Sequence, residues 1–132
     1  MEEFQDISTG DPQSDIQQDL SDLELALKHV RRNRDTKEEI NILNEIGNIH
    51  CQAGNYDEGM GYYFEALQSA LGMEKKDLES ITRFYIAMAY IKTDNLPAAE
   101  FELEQAIDYF EASDHPQVEI VRSKLKEVRS KT

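Results

Sequence analysis

The chain has 132 residues, with 27 acids against 14 Lys and Arg, a net charge of −13, 39% hydrophobic residues, three prolines, six glycines and one cysteine. That is enough chain for one compact domain. The charge balance repels phosphate backbones and excludes nucleic acid as a partner. One cysteine excludes an internal disulfide, and no apolar run approaches the ~20 residues of a membrane span.

Charge is concentrated at the start. Residues 1–24 hold eight acids and no Lys or Arg, so −8 of the −13 falls there and −5 on the remainder. The opening "MEEFQDISTGDPQSD" has neither the basic start nor the apolar core of a secretion signal, so the expected location is cytoplasmic. Residues 1–19 are acidic and lack a sustained apolar period, which predicts a disordered tail. From Leu20 the pattern changes: Leu20, Leu23, Leu27 and Val30 recur at helical spacing, with Ser21-x-x-Glu24 as a candidate cap and "RRNRD" as the end.

Thr36-x-x-Glu39 is a capping-box signal for a second helix carrying Ile40, Leu43, Ile46 and Ile49. "AGNYD" breaks it, with Gly54 and Asn55 suited to a tight turn. Asp57 and Glu58 fall in the first turn of a third helix, where acids favour the helix dipole. That helix runs to about Leu71, and "LGMEKKD" reads as a link. A fourth helix spans about Leu78 to Thr93. Pro97 belongs in the first turn of a fifth, where a missing N–H costs little. Pro116 starts a sixth, whose apolar stripe is Val118, Val121, Leu125 and Val128. The basic residues of the last stretch, Arg122, Lys124, Lys126, Arg129 and Lys131, are expected to form its solvated face. Six helices and no strand candidate predict an all-α fold.

Two segments align at a shift of 40 residues: "INILNEIGNIHCQAGNYDEGMGYYFEAL" from Ile40 and "SITRFYIAMAYIKTDNLPAAEFELEQAI" from Ser80. Small residues at Gly47/Ala87 and Gly59/Ala99 let paired helices approach closely, and Tyr63/Leu103 fill the space between them. The pattern Leu43-x2-Ile46-Gly47-x2-His50…Gly59-x3-Tyr63, and Arg83-x2-Ile86-Ala87-x2-Tyr90…Ala99-x3-Leu103 in the second unit, resembles the tetratricopeptide repeat. The period of 40 resembles the long-period members of that family. Arg83 in the aromatic slot and Leu103 in the Phe slot depart from the consensus. The resemblance implies a right-handed α-α superhelix: a half repeat at 20–34, repeats at 36–73 and 77–113, and a capping helix at 116–130.

Cys51 beside His50 invites a catalytic reading. Adjacent helical residues point about 100° apart, so the two do not face each other as a nucleophile and its base must. His29, His50 and His115 are scattered and no Cys-x-x-Cys exists, so no metal is expected. No phosphate-loop fingerprint occurs, and neither an enzyme nor a cofactor is expected.

What remains is a binding surface. The resemblance places the first helix of each repeat along a concave groove, faced by Asn41, Asn44, Asn48, Cys51 and Gln52 in one unit and by Ile81, Phe84, Met88, Ile91 and Lys92 in the next. The asparagines offer both donors and acceptors to a ligand's backbone. The apolar stripe Ile81, Phe84, Met88 and Ile91 calls for a cover: the last helix, a second copy of the chain, or a foreign peptide. The expectation is therefore a small adaptor that binds a protein or peptide partner in this groove. The alternatives are a self-associating subunit that uses the stripe, or a chaperone for a secreted substrate.

Overall fold

The computed structural model describes residues 12–132, which form six α-helices and, among the described residues, no strand. They are α1 (Pro12–Arg32), α2 (Thr36–Gln52), α3 (Tyr56–Met73), α4 (Lys76–Lys92), α5 (Leu96–Ala112) and α6 (Val118–Lys131). Neighbours in sequence pack side by side, and α2 also touches α4 directly. The architecture is the all-α repeat solenoid that the sequence predicts.

Each turn is built the same way. Arg34, Gly54, Glu74, Asp94 and Asp114 take positive φ, at a regular spacing of 20 residues. The residue after each one donates its N–H five residues back: Asp35 to Val30, Asn55 to His50, Lys75 to Ala70, Asn95 to Tyr90 and His115 to Phe110, at 2.8 to 3.1 Å. This is the helix-closing pattern in which a left-handed residue turns the chain and satisfies orphan carbonyls. Half a repeat is thus 20 residues of helix plus turn. The long period is taken up by helices of 17 and 18 residues, not by loops. In particular the expected link "LGMEKKD" is mostly helix: α3 runs on to Met73 and only Glu74 and Lys75 connect it to α4.

The start of the chain differs from expectation. Residues 1–11 of the expected tail lie outside the described residues, but 12–19 are helical. Proline as the first helical residue and Asp15 in the first turn are a start signal. Ile16 extends the stripe of Leu20 and Leu23 back by another turn. Ser21 and Glu24 therefore lie inside α1 and cap nothing. The cap of α2 is also one residue earlier than expected: Asp35, not Thr36, accepts from the Glu38 N–H at 3.2 Å.

The core runs along the solenoid as three apolar clusters. The first joins Leu27 and Val30 of α1 to Ile40, Leu43 and Ile46 of α2 and Ala66 and Ala70 of α3. The second holds Tyr63, Leu67, Ile86 and Ala89. The third joins Phe84, Leu103 and Phe110 to Val118, Val121, Leu125 and Val128 of α6. Close approach requires glycine at the α2–α3 crossing. A Cβ at Gly59 would stand 2.8 Å from the Gly47 carbonyl oxygen, and one at Gly47 would stand 2.6 Å from the Tyr63 ring. The basic residues of α6 are not merely solvated: Arg129 reaches Glu104 at 2.8 Å and Glu100 at 3.2 Å, and Arg122 reaches Glu111 at 3.0 Å, tying α6 to α5.

Candidate functional site

The two halves of the Cys51–His50 pair face different neighbours. His50 stacks on Tyr62 of α3, with ring centroids 5.5 Å apart and planes at 9°. Cys51 turns toward Gly59 and the Tyr63 cluster. Burial pushes its thiol pKa up, partly offset by the Tyr63 hydroxyl, so the thiolate that nucleophilic chemistry needs is disfavoured. Among the described residues no group of His, Cys, Asp and Glu is arranged to hold a metal ion.

Between the ends of α2 and α4 lies a cleft of about 470 Å³. Its walls are Asn48, Cys51 and Gln52 of α2 and Tyr85, Met88, Ala89 and Lys92 of α4, with Tyr56 and Tyr63 entering from α3. Asn48, Cys51, Gln52, Met88 and Lys92 were expected in the groove and are brought together here. The tyrosines were not expected in it. Tyr63 also serves the helix–helix core, and Tyr85 is one residue round the helix from the expected Phe84. A stripe of Tyr85, Met88 and Lys92, at spacings of 3 and 4, was the sequence signal that would have found this wall.

The remaining expected residues stand elsewhere. Asn41 is exposed, and its amide reaches Glu38 on its own helix. Asn44 is only 5% exposed and donates to Thr82 Oγ1 at 2.9 Å. The direct α2–α4 contact covers it, so it does not face the groove. Phe84 is 9% exposed, with its ring 6.1 Å from that of Phe110. Ile81 and Ile91 are half-buried and pack against the same cluster, which includes the valines and leucine of α6. Phe84, Ile81 and Ile91 thus belong to one apolar cluster with residues of the last helix, whereas Met88 also stands on the cleft wall.

The chemistry of the cleft is that of a contact surface. Tyr63 donates its hydroxyl to Asn48 Oδ1, which leaves the Asn48 amide N–H2 as a donor to the cleft. Burial holds the Tyr63 phenol pKa well above its ordinary range, with the Cys51 thiol and Tyr85 beside it adding to the shift. Tyr63 is thus a neutral donor at all ordinary pH. Its ring stacks on Tyr85 at 5.8 Å. Lys92 is the one charged wall residue, and no carboxylate lines the cleft. The cleft walls thus combine apolar side chains, one amide N–H2, phenol hydroxyls and one cation.

No helix among the described residues is long and apolar enough to cross a membrane. Comparison with curated proteins gives no significant match. The sequence profile described as tetratricopeptide repeat matches residues 38–112, which takes in α3, α4, α5 and nearly all of α2. With more than half of the chain under that profile, and paired helices closed by the same turn in both repeats, the protein belongs to the tetratricopeptide repeat family.

Proposed function

We propose that the protein is a binding adaptor that holds an extended segment of a partner protein in the cleft between α2 and α4. The family is in general one of protein–protein binding scaffolds and not of enzymes, and solenoids of this kind use their concave surfaces for contact. The observation that carries the reading is the convergence of Asn48, Tyr85, Met88 and Lys92 on one cleft. Asn48 donates to a partner carbonyl, and Tyr85 with Met88 buries an apolar side chain. Thioether and ring both adapt to irregular shapes. Binding is an equilibrium event with no covalent step.

The test uses residues on the cleft wall and not the core residue Phe84. Intact protein is used to capture partners from extract, in parallel with Met88→Glu and Asn48→Ala. A partner lost from both variants, while helical circular dichroism stays unchanged, supports the reading. A partner that both variants retain removes this cleft from it.

A further inference from the structure

A second groove, separate from the α2–α4 cleft, runs between α1 and α3 with a volume of about 860 Å³. Its apolar part is Leu20, Leu25 and Tyr62, and Leu25 is 66% exposed, the most exposed large hydrophobic residue among the described residues. The floor is open at Gly61, where a Cβ would meet nothing within 4 Å. One repeat on, the same position is Phe101, a large side chain. Gly61 thus leaves empty, in the first repeat, a place that a phenyl ring occupies in the second. Tyr62 is held in the wall by its stack on His50 and by donating to Glu24 at 3.2 Å.

The rim is charged with one sign. Glu24, Asp57, Glu58 and Glu65 line it against a single lysine, Lys28. Glu65 is bonded to Arg31, whereas Asp57 and Glu58 form no ion pair among the described residues. Exposed leucine beside unpaired carboxylates calls for a partner that brings apolar and cationic groups together. We propose that the α1–α3 groove docks a basic amphipathic helix of a partner protein, with its apolar side chains on Leu20, Leu25 and the open floor at Gly61, and its Lys or Arg on Asp57 and Glu58.

Two synthetic helical peptides of about 18 residues, five turns, test this by calorimetric titration into the intact protein. One carries leucines on one face and lysines on the other; the second has glutamates in place of the lysines. The lysine peptide is expected to bind, more weakly as salt rises, and the glutamate peptide not to bind. Gly61→Phe, whose Cβ would meet nothing within 4 Å, is expected to weaken the lysine peptide at least about tenfold. The double variant Asp57→Asn with Glu58→Gln is expected to weaken it while keeping α3 intact by circular dichroism, which covers the case of a misfolded Gly61→Phe. Equal binding of both peptides, or affinity unchanged in Gly61→Phe and in the double variant, overturns the proposal. Light scattering of the free protein supplies the other check. A dimer that Gly61→Phe dissociates gives the groove to a second copy, and that also overturns it.

Discussion

Arg83 of α4 and Glu102 of α5 stand 2.9 Å apart at the positions that Leu43 and Tyr62 hold 40 residues earlier. In the first repeat these positions belong to one apolar cluster. In the second the two have changed together, and Arg83 also bonds Glu79 at 2.9 Å on its own helix. The departure from the repeat consensus at Arg83 is thus one half of a paired exchange. An ion pair now clamps the two helices where packing does so in the first repeat.

The exchange predicts non-additive stability. Glu102→Ala leaves the arginine with Glu79 alone in a mostly buried place and should cost about 2 kcal/mol, because a charge loses its partner where water replaces it poorly. Restoring the first repeat's pair, Arg83→Leu with Glu102→Tyr, should recover most of that loss. Urea midpoints of Arg83→Leu, Glu102→Tyr and the double close the cycle. Equal and additive losses would show that the pair is not a unit.

Glu74 adopts φ 55° at the α3–α4 turn, a conformation that costs a residue with a Cβ roughly 1 kcal/mol and glycine almost nothing. Glu74→Gly should therefore raise stability by about 0.5–1 kcal/mol, read as a higher urea midpoint with an unchanged slope. Asp94→Gly should gain less, since aspartate tolerates the left-handed region better.

Gly59→Ala should destabilise by about 2 kcal/mol. The added methyl meets the Gly47 carbonyl oxygen at 2.8 Å as well as the Cys51 side chain. Combining it with Cys51→Ala relieves only the side-chain clash. The double variant should remain well below the parent in thermal melting, and full recovery would show that the backbone contact yields.

Tyr63 links the cleft to alkaline stability. Its native pKa is raised by burial, while the unfolded value is about 10. Above that pH the unfolded chain has lost a proton that the native protein keeps, so stability falls as pH rises. The contribution is fully present below pH ~10 and is lost above it. The urea midpoint should drop between pH 8 and pH 11, and Tyr63→Phe should drop less. At pH 8 that variant starts about 1 kcal/mol lower, from the lost bond to Asn48.

The groove residues show how far pattern reading reaches. Asn41, Asn44 and Asn48 share one helix face at spacings of 3 and 4, and from the sequence they look equivalent. In space they divide three ways: Asn41 is exposed, Asn44 is closed under Thr82, and Asn48 is at the cleft wall bonded to Tyr63. A single helix fixes only which side a residue is on. How much of that side the next repeat covers depends on the distance between α2 and α4, which residues on other helices set. Phe84 was moved from the expected groove into the core for the same reason.

The sequence by itself determined the all-α class, the approximate span of the helices after the first and the repeat of 40, because apolar period, glycine and proline act locally and every repeat restates them. It also determined the absence of a Cys–His couple, since adjacent helical residues diverge whatever surrounds them. The tertiary structure decided which amides line the cleft, that Arg83 is answered by Glu102, that Phe84 packs into the core beside Phe110, and that Gly61 leaves a groove open. Each of these depends on how closely two helices distant in sequence approach, and that distance is set by the side chains of both at once.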